Sequence, residues 1–213
     1  MLSNQTHLQY QLDDNIFHNG RILNTNFYPR HLDALLRESL SDTPAVLVNG
    51  PRQCGKTTLV RQYEGEMAYF SLDDPALLAA VRADPLGFVR RLDRAIIDEV
   101  QRAPELLLAL KLSIDNDRRP GRFLLTGSAN LMALPQIADS LAGRIDIHTL
   151  LPLSHSELAR QPQDFLTRAL AQNWATGASK TSPLQDMTQE VLAGGYRSVK
   201  HQFLTLSTLL VHV

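Results

Sequence analysis

The sequence predicts an α/β fold, a three-layer domain with a parallel sheet, and three observations carry that prediction. The apolar run Ala45-Val46-Leu47-Val48 leads into Gly50-Pro51-Arg52-Gln53-Cys54-Gly55-Lys56-Thr57, a complete G-x-x-x-x-G-K-[ST] loop. A second apolar run, Ala95-Ile96-Ile97, ends in the carboxylate pair Asp98-Glu99, 48 positions beyond Gly50. Between and after them, strand-like and helix-like segments alternate, the pattern of a parallel sheet covered on both faces, whose ligands sit at the carboxyl ends of the strands.

The elements follow in order. Residues 1–27 are rich in Asn, Gln and His with scattered apolar positions, which predicts a poorly packed extension. Tyr28-Pro29-Arg30 opens a helix with Leu32, Leu35, Leu36 and Leu40 at helical spacing, and Ser41-Asp42-Thr43-Pro44 ends it before the first strand. The loop helix runs on through Leu59 to Tyr63, and Met67 to Leu72 suits a second strand. Asp74-Pro75 and Asp84-Pro85 each pair an N-cap with a proline at the first helical position, so two short helices are expected there. The third strand is Ala95 to Asp98, a helix spans Glu105 to Ile114, Phe123 to Ser128 is a fourth strand with a polar end, and Ile145 to Leu150 is the fifth. Ser154-His155-Ser156-Glu157 is a capping box that starts one more helix.

The loop's chemistry is specific. Its amides cradle phosphate oxygens while the helix opening near Lys56 points its positive end at them, and the glycines permit that backbone. Lys56 reaches the β- and γ-phosphates, and the Thr57 hydroxyl is placed to ligate Mg²⁺. The nucleotide-binding set is Gly50, Pro51, Arg52, Gln53, Cys54, Gly55, Lys56, Thr57 and Thr58. Asp98-Glu99 is a Walker B pattern: Asp98 holds the metal's hydration shell beside Thr57, and Glu99 orients the water that attacks the γ-phosphate. A fourth strand lying between the first and third would bring Thr126, Ser128 or Asn130 near that phosphate, and the choice among them stays open against ordinary helix capping. Arg144, just before the fifth strand, can serve phosphate in its own subunit or a neighbour's, or form a surface salt bridge.

Composition narrows the setting. The chain has 213 residues, 44% apolar, enough for one to one and a half domains with a core. A formal net charge of -1 provides no overall basic field for nucleic acid, and the clusters Arg90-Arg91-Arg94 and Arg118-Arg119-Arg122 read as solvated surface. One cysteine, Cys54, rules out an intramolecular disulfide framework and reads as a small loop side chain rather than a redox switch. The histidines show no metal-ligand spacing, so Mg²⁺ carried by ATP is the only metal inferred. Lack of a signal-peptide pattern or a long apolar stretch points to a soluble, cytoplasmic protein.

In this order the segments resemble bacterial and archaeal AAA-type ATP-binding proteins, whose ATPase core precedes a C-terminal domain of unknown function. The resemblance rests on Tyr28-Pro29-Arg30, Gly50 to Thr58, Ser71-Leu72-Asp73-Asp74-Pro75, Ile97 to Leu106, Leu125 to Asn130, Ala142-Gly143-Arg144 and Pro152-Leu153-Ser154, over roughly residues 28–160. It implies a P-loop ATPase with strand order 5-1-4-3-2, the roles above for Lys56, Thr57, Asp98 and Glu99, and a sensor near Ser128 or Asn130. It implies three regions: the extension 1–27, an ATPase core over 28–160, and a partial, truncated C-terminal region over 161–213. Val191-Leu192-Ala193-Gly194-Gly195-Tyr196 is similar to the family's Gly-Gly-Tyr segment, but Arg197 replaces the usual proline and the apolar tail beyond it departs from the family. The expected function is Mg-dependent ATP hydrolysis, with a homo-oligomer or a protein partner and no membrane. The competing reading is a nucleotide-binding interaction module, or an inactive fragment, with negligible turnover. A kinase ranks third, because no lid or acceptor site is evident.

Overall fold

The computed structural model describes residues 17–18, 21–22, 27–128, 141–162, 169–170 and 194–196. Phe17–His18 and Arg21–Ile22 form a two-stranded antiparallel ribbon. The principal sheet has five strands: β1 (Ala45–Asn49), β2 (Ala68–Ser71), β3 (Ala95–Asp98), β4 (Phe123–Thr126) and β5 (Ile145–Thr149). Every pairing is parallel and the order is β2-β3-β4-β1-β5, the arrangement expected from the resemblance. The central strands are buried end to end on both faces, so they read as continuous apolar runs rather than alternating ones.

Alternation along the strands divides the core in two. Ala45, Leu47, Ala95, Ile97, Phe123 and Leu125 face helices α3 (Pro75–Ala83), α4 (Pro85–Arg90) and α5 (Glu105–Asn116). Val46, Val48, Ile96 and Leu124 face α1 (Leu32–Asp42) and α2 (Lys56–Val60), meeting Leu36, Leu40, Leu59 and Val60. Helix α5 buries Leu106, Leu107, Leu110 and Ile114 at helical spacing and turns Leu108 and Leu112 to solvent. Both Asp-Pro starts form as expected: Asp74 caps the amide of Ala76 at 2.8 Å, and Asp84 that of Gly87 at 2.8 Å. The capping box of α6 (His155–Leu158) is complete.

Three details differ from the sequence reading. Helix α1 begins at Leu32, so Tyr28-Pro29-Arg30 is irregular chain leading up to it; the residue before a proline is biased away from helix. Leu35 is 45% exposed, outside the α1 stripe that packs on the sheet. Arg122 belongs to the interior: its guanidinium donates to the carbonyls of Ser113 and Asp117 at 3.0 Å each, satisfying the end of α5. Arg119, by contrast, pairs with Asp93 and Asp117 at the surface.

Leu47 is fully buried at the middle of β1. Leu47→Ala is expected to lower the unfolding free energy by about 2–5 kcal/mol, read from denaturant titration, because the flanking strands cannot collapse into the void.

Candidate functional site

The site forms at the carboxyl ends of β1, β3 and β4. Gly50 turns the chain out of β1 with φ at +146°, and a Cβ there would lie 2.2 Å from the Leu150 carbonyl oxygen, so any side chain would push β5 from β1. Gln53 takes φ +62°, a left-handed conformation that non-glycine residues seldom adopt and that costs of order 1 kcal/mol or more. The backbone then enters α2. Lys56 is 7% exposed and its Nζ donates to the loop's own carbonyls, Gly50 at 3.1 Å and Pro51 at 3.0 Å, which holds the ammonium at the loop.

Asp98 is the centre of the arrangement. It is 2% exposed, and a carboxylate so buried needs donors for its lone pairs. Thr57 Oγ1 donates to its Oδ2 at 2.9 Å and Tyr69 Oη donates to the same oxygen at 2.8 Å, while the Thr126 hydroxyl donates to Oδ1. Burial, then the hydrogen bond to Asp98, raises the Tyr69 phenol above its ordinary value and keeps it a donor. The Arg61 guanidinium lies over the Tyr69 ring, 4.5 Å from its centroid.

Glu99 follows at φ +62°, turning the chain sharply off the end of β3. Its backbone N–H donates to Thr126 Oγ1 at 3.0 Å, and its carboxylate accepts from the Gln101 amide nitrogen. The other end of that amide, Gln101 Oε1, accepts from the Ser128 backbone N–H at 3.1 Å. Because an ionised carboxylate only accepts and a backbone N–H only donates, the orientation of the Gln101 amide is set by its two partners. Gln101 thus bridges Glu99 to the end of β4.

The structure therefore brings together Lys56, Thr57, Asp98 and Glu99 as the sequence indicates. Among the three candidates on the fourth strand, Thr126 touches the acidic pair, Ser128 joins through its backbone, and Asn130 lies outside the described residues. Arg144 stands apart. It precedes Ile145, which pairs with Ala45 at the far end of β1 from Gly50, a separation of roughly 16 Å at about 3.3 Å per residue. Its guanidinium binds Asp115 through two contacts, of 2.6 and 3.1 Å. Of the roles open to Arg144, the salt bridge is the one the structure forms. Among the described residues no group of three His, Cys, Asp or Glu side chains is placed to hold a metal by itself.

The sequence reading missed the cleft beside the loop. It encloses about 130 Å³ and is lined by Tyr28, Arg30, Gln53, Thr58, Leu153 and Gly195 among others. Arg30 closes one side: Nη1 donates to the Cys54 carbonyl at 2.7 Å, Nη2 to the Leu151 carbonyl at 2.6 Å, and Nε to Glu157 Oε1 at 3.0 Å. Glu157 also accepts from the amides of His31 and Ser154, each at 2.9 Å. Burial alone would raise the Glu157 carboxyl, but the Ser154 and His31 amides and the Arg30 guanidinium more than offset it and hold the carboxyl below its ordinary value. The signal for Arg30 was the Tyr-Pro-Arg segment itself, read as the opening of a helix and as part of the family resemblance. Tyr69 and Gln101 carried no local signal.

A family model described as AAA domain matches residues 42–159, more than half of the chain. The chain belongs to this family. Uncharacterized proteins of Mycobacterium tuberculosis and Mycobacterium bovis are each 37% identical to it over 139 residues, covering 64% of this chain and 32% of theirs. The chain thus spans about a third of the length of these curated relatives. A solved structure of a DNA replication initiation factor is 12% identical, with a TM-score of 0.49, over 98% of this chain and 62% of that one. Membership in the AAA-domain family supports nucleotide binding of the ATPase type, on the P-loop architecture described above. No helix among the described residues is long and apolar enough to cross a membrane.

Two predictions follow from this geometry. Thr126→Val removes a hydroxyl that donates to Asp98 and accepts from Glu99 N–H, and should cost about 1–3 kcal/mol of stability in denaturant titration, whereas Thr126→Ser should retain most of it. Because the folded Glu157 carboxyl is depressed, its contribution is complete above the unfolded value of about 4.3 and is lost as pH falls through the lower folded value. Unfolding midpoints measured from pH 6 down to pH 3 should show this loss in the wild type and lack that component in Glu157→Gln.

Proposed function

We propose that the chain binds ATP with Mg²⁺ at the phosphate loop and hydrolyses it. The observation that carries this reading is the 2.9 Å contact between Thr57 and Asp98, with Glu99 next in sequence. It joins the loop to the acidic strand end as phosphoryl chemistry requires. Thr57 and Asp98 would hold the metal, since both offer the hard oxygen ligands Mg²⁺ prefers and the ion ordinarily shares such ligands with phosphates and water. When bound, the ion neutralises phosphate charge. Gly50, Pro51, Arg52, Gln53, Cys54, Gly55, Thr57 and Thr58 supply the loop, Lys56 offers its ammonium to the phosphates, and Glu99, steadied by Gln101, orients water. Thr126 is better placed than Ser128 for a role beside the γ-phosphate, and Asn130 stays a candidate. We take the ATPase core as 28–160, because Tyr28 and Arg30 line the cleft.

A second reading is favoured by the engagement of Arg144 with Asp115 far from the chain's own loop. In it, the chain is an interaction module that binds nucleotide with negligible turnover unless a neighbouring copy or another protein completes the site. Lys56→Ala should weaken ATP binding at least about tenfold, and Glu99→Gln should keep binding while phosphate release falls about 10²- to 10³-fold. Steady phosphate release that survives Lys56→Ala would sink the hydrolase. Gel filtration with and without ATP, beside turnover of Arg144→Ala, separates hydrolysis within an oligomer from the passive module.

A further inference from the structure

Three segments that take no part in the nucleotide roles above line one cleft beside the loop. Tyr28-Pro29-Arg30 precedes α1, Leu151 to Glu157 follows β5, and Gly195 lies across from Leu153. Leu153 N–H donates to the Gly195 carbonyl at 2.9 Å, and a Cβ on Gly195 would come within 2.5 Å of the Leu153 carbonyl oxygen, so only glycine permits this approach. Arg30 is common to the assembly. Its side chain is 7% exposed, and each of its three nitrogens donates to a different part of the chain: the phosphate loop at Cys54, the strand exit at Leu151, and α6 at Glu157.

We propose that Arg30 is a positioning residue for the phosphate loop, and that through it nucleotide binding is coupled to the segment after β5. The inference rests on the nucleotide-binding reading above. The Cys54–Gly55 peptide is trans, so its carbonyl and its N–H point in opposite directions. By holding the Cys54 oxygen, the guanidinium fixes the direction of the Gly55 N–H at the mouth of the loop, and by polarising that carbonyl it strengthens the N–H as a donor. A planar fork reaches three acceptors at fixed angles, which a lysine ammonium does not reproduce. Glu157 neutralises the buried cation and is itself fixed by two backbone amides, so the fork cannot turn without disturbing α6. Movement of the loop onto phosphate therefore pulls on Leu151 and Glu157 through the same group.

The test uses the whole chain and Mg·ADP. Affinity is measured by calorimetry, and backbone hydrogen exchange over residues 151–160 is followed with and without ADP. Arg30→Ala should weaken ADP about tenfold, with Arg30→Lys and Glu157→Gln between it and the wild type. ADP should slow exchange over 151–160 in the wild type and lose that effect in Arg30→Ala and in Glu157→Gln, a linkage that a merely structural staple would not carry. Should Arg30→Ala fail to fold, Arg30→Lys and Glu157→Gln decide the question alone. Wild-type binding that these variants leave within about twofold, with the exchange effect intact, overturns the positioning role and spares the nucleotide site. A wild type that binds no more ADP than Lys56→Ala overturns both.

Discussion

One buried carboxylate organises this domain. Asp98 sits at the end of a central strand with almost no water contact, and its two oxygens are satisfied by hydroxyls from the loop helix, from β2 and from β4. Each donor comes from a different neighbour, so the strand order is a requirement of the site and not only of the core. Were β4 not between β1 and β3, Thr126 could reach neither Asp98 nor the Glu99 amide, and one oxygen of a buried carboxylate would lose its donor. The same carboxylate thereby makes the site rigid, because a hydroxyl network that is fully paired has no slack.

What was legible in the sequence was local. Both Asp-Pro helix starts and the Ser154 capping box are decided by residues a few positions apart and form as read, and the turn after β1 and the strand end at Asp98 fall where the local pattern puts them. What was missed depends on neighbours distant in the chain. Tyr69 reads as an ordinary strand aromatic until β2 is known to lie beside β3. Arg122 reads as one charge in a basic cluster until its strand is seen to start beneath the end of α5. Arg30 reads as the opening of a helix, yet the helix begins at Leu32 and the Arg30 side chain reaches the loop, a contact no local pattern shows. The strand order itself came from resemblance, since the apolar runs of parallel strands buried on both faces carry no information about which strand lies next to which.

Charge is held differently at the amino ends of the strands and at the phosphate loop. At the amino ends, arginines are matched with acids and carbonyls: Arg144 with Asp115, Arg119 with Asp93 and Asp117, Arg122 with the last turn of α5. Those pairs neutralise one another locally. At the loop, the Lys56 ammonium donates to the backbone carbonyls of Gly50 and Pro51, and the donors around Asp98 are neutral hydroxyls. A cation held by neutral acceptors keeps more of its field than one paired directly with a carboxylate. Placement of this kind, rather than the net charge of -1, sets the local field at the loop.

Backbone strain lies at the same end. Gln53 in the loop and Glu99 after the acidic strand both adopt left-handed conformations without being glycine. Each such residue costs free energy that its surroundings must offset. For Glu99 the compensation is visible: its amide is held by Thr126 and its carboxylate by Gln101, which is itself held by Ser128. A glutamate that continued the strand in extended geometry would alternate to the opposite face from Asp98. The left-handed turn instead bends the chain so that the second carboxylate stays at the strand end and within reach of β4. The strain is thus the geometric condition for two consecutive acids to stay at one strand end, and Gln101 is what holds the second of them there.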